Sequence, residues 1–203
     1  MSQDSTHEPS LLKAAAFAEV DRGSFEWDSK HNADLLTVSN NGQSIEWGPR
    51  KPQYAGQYPP AWVPASTRSR LHSGQFQWDF VIDEIAGAQL GIGFMLLWDI
   101  GPDWGFFGYL GSSTSAWAYD PSTGDVVYNT ESIEGGLPKT EDGRAGVVTV
   151  HLDLPRDAAG AGRFSMNGID SLPIRLPEGS VVLPAACFLK ERQKVSLSNF
   201  RVK

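Results

Sequence analysis

Residues 72–83 read HSGQFQWDFVID, and the strand they encode decides the fold. Phe76, Trp78, Phe80 and Ile82 occupy alternate positions, with Gln75, Gln77, Asp79 and Asp83 between or beside them. Successive side chains leave a strand on opposite faces, so this period of two predicts a half-buried strand with an aromatic inner face. Residues 90–96, LGIGFML, follow as an apolar run of strand length. Upstream, LLTVS at 35–39 and SIEW at 44–47 flank Asn40-Asn41-Gly42, which reads as a hairpin with a glycine-assisted turn. Downstream, SAWAYD at 115–120 and DVVYN at 125–129 flank Pro121-Ser122-Thr123-Gly124, a second hairpin. VVTVHLDL at 147–154 alternates, with Val148, Val150, Leu152 and Leu154 on one side. RFSMNG at 163–168 sends Phe164 and Met166 inward and turns at Asn167-Gly168. VVLPAACFL at 181–189 and VSLSNFRV at 195–202 are the last strands. Val195 and Leu197 are out of phase with Phe200 and Val202, which places a bulge near Ser198.

Many short strands at near-regular spacing predict an all-β chain with two antiparallel sheets packed as a sandwich. Trp27, Trp78 and Trp117 fall in periodic strands and are assigned to its core. The proline-rich 48–66 reads as a long surface connection, WDIGPDWGFFGY at 98–109 as an aromatic loop, and the charged, Gly-rich 131–146 as another loop. Residues 1–24 form an N-terminal extension, with a short helix expected over 10–20 behind Ser10 as cap, and 25–203 form the sandwich domain.

A chain of 203 residues buries a sizeable core without disulfides or metal. Its net charge of −7 argues against nucleic acid, whose binding is dominated by Lys and Arg contacts to phosphate, and against an anionic membrane surface. The single cysteine, Cys187, lies in an apolar run, so it forms no internal disulfide and reads as a buried structural thiol. With no basic and apolar leader at the N-terminus, the expected location is cytoplasmic. No segment approaches the roughly 18 apolar residues of a membrane span.

Catalytic patterns are missing. His7, His31, His72 and His151 are far apart in sequence, none lies in a metal-binding spacing, and His151 sits on the polar face of its strand. Asp83 and Glu84 are adjacent on a strand and point to opposite faces, whereas glycoside hydrolysis needs two carboxylates about 5–10 Å apart across one cleft. Asp120 and Asp125 bracket a turn, where side-chain to backbone hydrogen bonds favour Asp. Gly91 and Gly93 lie within a strand with no following helix, so they form no phosphate loop, and close packing of the other sheet is expected there. Neither metal nor cofactor is expected, and no catalytic residue is assigned.

The order of these segments resembles the SPRY (B30.2-type) domains, within the concanavalin-like sandwiches. The family's early strand and turn is similar to DLLTVSNNG at 34–42, and its G-x-x-x-W strand to 74–83. Its paired W-[GA]-[YW] and Y-x-[ND] strands are similar to WAY at 117–119 and VYN at 127–129. VTVHLDL at 148–154, RFSMNG at 163–168 and LPEGSVVLPAACFL at 176–189 complete the resemblance, which spans residues 25–202. The PRDAAGAG stretch and the 98–107 aromatic insertion depart from the pattern. Within these residues there is no RING, B-box, coiled coil or SOCS box, so a ubiquitin-ligase adaptor role is not implied.

The resemblance implies a non-catalytic module that recognises a peptide or folded protein through its loops. In the SOCS-box members, peptides bind near a Gly-Tyr-x-x-Leu segment and near a Trp-Gly pair after the P-[AV]-V strand. The similar positions here are Gly108-Tyr109-Leu110-Gly111 and Phe188-Leu189-Lys190, so the tyrosine matches while the peptide specificity does not carry over. Tyr109, Leu110, Phe188 and Leu189 are therefore the expected partner-binding residues, joined by Trp62 and Pro64 and by the loop aromatics Trp98 and Trp104. Two alternatives stay open: a lectin-like sandwich binding carbohydrate, the less favoured ligand, or a structural subunit of a larger assembly.

Overall fold

The computed structural model describes residues 25–30, 35–48, 62–85, 89–97, 109–140 and 146–203. The expected helix at 10–20, and with it the 1–24 boundary, lies outside them. Among the described residues the chain is all-β apart from the 3₁₀ turn Leu110–Ser112 and Leu97, which is also 3₁₀.

Fourteen strands follow in order: β1 Leu36–Ser39, β2 Ser44–Trp47, β3 Val63–Ser66, β4 Gly74–Glu84, β5 Leu90–Leu96, β6 Ala116–Asp120, β7 Asp125–Tyr128, β8 Glu131–Glu134, β9 Gly146–Leu154, β10 Gly160–Met166, β11 Ile169–Asp170, β12 Ile174–Leu176, β13 Val182–Phe188 and β14 Lys194–Val202. One sheet has eight strands in the order β1-β2-β14-β4-β9-β10-β11, with β12 also on β10; the other has six, β3-β13-β5-β6-β7-β8. All these pairings are antiparallel. The strand read from residues 72–83 is β4, central in its sheet, pairing β14 on one side and β9 on the other.

The inner faces interlock as the periodicity requires. Phe76, Trp78, Phe80, Val148, Val150, Leu152, Phe164 and Met166 are all buried between the sheets, with Trp27 and Trp117. Tyr119 reaches across to this layer, its hydroxyl donating to Met166 Sδ at 3.3 Å. The bulge expected in the last strand is present: the register with β4 slips between Ser198 and Arg201, with Asn199 in a left-handed conformation. Asn199 Nδ2 and Thr149 Oγ1 then donate to Asp79 at 2.6 and 2.7 Å, which buries a carboxylate that the sequence placed on a solvated face.

Strands appear where loops were expected. Val63–Ser66 is a strand despite Pro64, because β3 pairs only β13 and proline is tolerated where one side of the strand has no ladder. Glu131–Glu134 forms the edge strand β8, and Gly160–Gly162, the end of the PRDAAGAG stretch, already belongs to β10. Gly91 and Gly93 do not face the other sheet. They lie on the outer side of β5, where a Cβ at Gly93 meets the Trp117 carbonyl and one at Gly91 meets Cys187 and Tyr109.

Candidate functional site

β5 and β13 are buried at every position, so the six-stranded sheet is covered on its outer side as well. The cover is a second apolar cluster: Met95, Leu110, Ala116, Ala118, Leu183, Ala185 and Cys187, with Trp62, Leu97 and Tyr109 packed against it. A row of outward-facing residues crosses the sheet beneath it. Pro64 pairs with Cys187, Cys187 with Gly91, and Asp120 with Asp125. One step past the Ile92–Tyr119 pair, Gly91 adjoins Asp120, which makes the row continuous.

Gly91 leaves a slot in this row, and the Tyr109 ring fills it. An added Cβ would lie 2.5 Å from Cys187 Sγ and 2.7 Å from Tyr109 Cε2. The Tyr109 carbonyl accepts from Ser112 N and Ser112 Oγ at 2.8 and 2.6 Å, while Leu110 N donates to Cys187 Sγ at 3.2 Å, fixing the turn on the sheet. Trp62 packs on Tyr109 with ring centroids 4.6 Å apart, and both rings stay partly exposed. The ladder ends at the Val63–Phe188 pair, so Trp62 and Leu189 lie one residue past its end.

Burial sets the electrostatics. Desolvation pushes the Tyr109 hydroxyl far above the usual tyrosine range, with Cys187, Asp120 and Asp125 adding to the effect. The hydroxyl oxygen is buried and has no acceptor among the described residues. Indole N–H groups of Trp27, Trp47 and Trp78 are likewise unpartnered, but these belong to the intersheet core. Cys187 is pushed up to about 12 by burial, against hydrogen bonds from the Leu110 and Gly91 backbones that act the other way. Such a thiol stays protonated and is no nucleophile. Asp120 is raised first by burial, and Ser122 N and Oγ hold one of its oxygens at 2.8 and 2.6 Å, the turn the sequence placed there.

Compared with solved structures, the chain matches the SPRY domain of human HERC1 at 18% identity and TM-score 0.58, covering 88% of this chain and 97% of that one. It matches the TRIM65 PSpry domain at 13% identity and TM-score 0.62, covering 87% and 90%. A further human SPRY domain matches at 13% identity and TM-score 0.55, covering 80% and 94%. This chain has the SPRY fold. No family model matches it, and no curated protein sequence does.

Within this SPRY fold the expected site residues divide. Tyr109, Trp62 and Leu189 gather at the end of β3 and β13 and keep exposed surface. Phe188 does not join them: it is the last residue of β13, points to the opposite face from Cys187, and is fully buried between the sheets. Leu110 and Pro64 are on the correct side but buried, forming the floor. Trp98 and Trp104 lie outside the described residues.

One supporting residue carried no sequence signal. Gln193, fully buried, accepts Leu189 N and Lys190 N on Oε1 at 2.7 and 3.0 Å. Its Nε2 donates to the Ile85 and Gln89 carbonyls at 3.1 and 2.7 Å. This one amide fixes the turn bearing Leu189 to the connection before β5. On the far side of the molecule, a cleft of about 310 Å3 over the eight-stranded sheet is lined by Gln75, Gln77, His151, Asp153, Arg163 and Lys203, among others. Burial and the nearby Arg163 depress His151, and Arg163 pairs with Asp170 at 3.1 Å. Among the described residues no group of three or more His, Cys, Asp or Glu is placed to hold a metal.

Proposed function

We propose that the chain is a non-catalytic, cytoplasmic module that recognises a peptide or folded protein through the Trp62–Tyr109–Leu189 patch. The observation that carries this reading is the Trp62–Tyr109 ring pair, 4.6 Å apart, seated on the sheet over the Gly91 slot and still partly exposed. Rigid aromatics supply contact area at low entropic cost, as interface anchors do. The fold supports the same reading, since SPRY sandwiches present loops at their rims. Leu189 is the peripheral contact, held in position by Gln193.

The test is selection of a phage-displayed random dodecapeptide library on the immobilised chain, followed by affinities on variants. Clones bound by the wild-type protein are expected to weaken more than about tenfold on Trp62→Ala and on Leu189→Asp. Tyr109→Ala, which removes the ring that Trp62 packs on, is expected to weaken them as well, with a circular dichroism spectrum that stays β. Selected peptides indifferent to all these variants would overturn the patch, and a library yielding no binder would overturn the peptide-recognition reading.

A further inference from the structure

A second exposed apolar surface lies at the open edge of the sandwich. There β8, the last strand of the six-stranded sheet, faces the Ser171–Arg175 segment that leads into β12. The register of β8 with β7 slips so that Ile133 is an extra residue between the pairs Val127–Ser132 and Val126–Glu134. A bulge re-aims its side chain, and Ile133 stands 47% exposed. Opposite it, Leu172 is 68% exposed, the highest value among the large apolar side chains described.

Leu172 is held in that position. Its N–H donates to Glu134 Oε2 at 2.8 Å, and its carbonyl accepts from Ser171 Oγ at 3.0 Å. Ser171 is itself fixed by Phe164, whose N–H donates to Ser171 Oγ at 3.0 Å and whose carbonyl accepts Ser171 N at 2.8 Å. Between the two side chains runs a groove of about 340 Å3, floored by Trp117, Tyr128 and Ile174, with the Trp117 and Tyr128 rings stacked 4.9 Å apart. That volume admits one bulky side chain. Of the groove's two charged residues, Glu134 already serves Leu172, while Arg175 is exposed with no carboxylate at ion-pair distance among the described residues.

We propose that this groove is a second docking site, taking a bulky apolar side chain of a partner peptide whose neighbouring residue is acidic. The apolar side chain covers Ile133 and Leu172 over the stacked rings, and the acid answers Arg175. Strand addition to β8 is disfavoured, since its bulge and its Glu131 and Glu134 are features that keep an edge from pairing.

The same dodecapeptide library tests it, with clones sorted on Leu172→Asp, Arg175→Glu and Leu189→Asp. The expected result is a class of clones carrying an apolar residue beside Asp or Glu. These lose more than about tenfold in affinity on Leu172→Asp, weaken on Arg175→Glu, and ignore Leu189→Asp. Circular dichroism confirms that the Leu172 variant is folded; Ile133→Ser, with a milder change, repeats the test if it is not. If no clone depends on Leu172 or Ile133, or those that do lack an acidic residue, the proposal fails. A concentration-dependent dimer that Leu172→Asp disperses, read by light scattering, gives the groove to a second copy and also overturns it.

Discussion

The two sheets meet the outside in different ways. β4 and β9 in the eight-stranded sheet keep their alternation, with apolar residues inward and Gln77, Thr149 and His151 outward. β5 and β13 in the six-stranded sheet are buried on both faces, one against the intersheet core and one beneath Tyr109 and the 110–112 turn. Alternation therefore marks a sheet whose outer face is its own surface, and its loss marks a sheet that carries a second layer. The candidate site sits in that second layer.

The sharpest way to break this contrast is to empty the shared core. Trp78→Ala, at a fully buried position, is expected to cost about 3–5 kcal/mol in chemical denaturation. A loss near zero means that β4 presents its other face. The next test separates the two layers by their glycines. Gly93→Ala drives a methyl into the Trp117 carbonyl, which the ladder cannot move, and is expected to cost about 3 kcal/mol. Gly91→Ala meets a thiol and a ring that can shift, so the expected cost is smaller, about 1–2 kcal/mol, with Tyr109 displaced and peptide binding lost. Equal costs with binding retained would show that Tyr109 does not occupy the Gly91 slot.

Alkaline titration, read as the difference between the wild type and Cys187→Ala, probes the second layer. Burial pushes the Cys187 thiol up from 9.0 in the unfolded chain to about 12 in the fold. Below pH 9 its contribution to stability is complete; from there to about 12 the unfolded chain releases the proton and the folded chain does not. Stability then falls, by at most about 1.4 kcal/mol per pH unit from this group. The Cys187→Ala variant is expected to show a shallower decline over that window, and parallel curves would place the thiol in water. Smallest of all, Tyr109→Phe removes an unpaired donor and is expected to be neutral or stabilising by about 1 kcal/mol. A clear loss of stability would mean that the hydroxyl has an acceptor in the free protein.

Alternation made β4 and β9 legible, and the phase slip from Leu197 to Phe200 announced the bulge in β14. Turn residues did the same for both hairpins, down to Asp120 holding Ser122. The sequence was less direct where two apolar faces meet one strand. VLPAACF has no period, so nothing distinguished Phe188, facing the core, from Cys187, facing the second layer. Pro64 concealed β3 because proline is a turn signal until a strand is known to pair on one side only. Gln193 was illegible for another reason: its worth lies in carbonyls and amides contributed by Ile85, Gln89, Leu189 and Lys190, and no local pattern encodes such a meeting.

The position of the last two long strands sets a timetable for the chain. β14 lies between β2 and β4, and β13 between β3 and β5, so each sheet holds a gap until its late strand arrives. On the ribosome, the six-stranded sheet is discontinuous until β13 is made at residue 188 and the eight-stranded sheet until β14 is made at residue 202, so the nascent chain carries open edges on β3 and β5, and for longer on β2 and β4. Long-range pairing of this kind is slow and exposes edges that other chains can capture. Folding of the eight-stranded sheet thus waits for β14, and a chain that stops short of it leaves β1-β2 and β4-β9-β10 with no strand to join them.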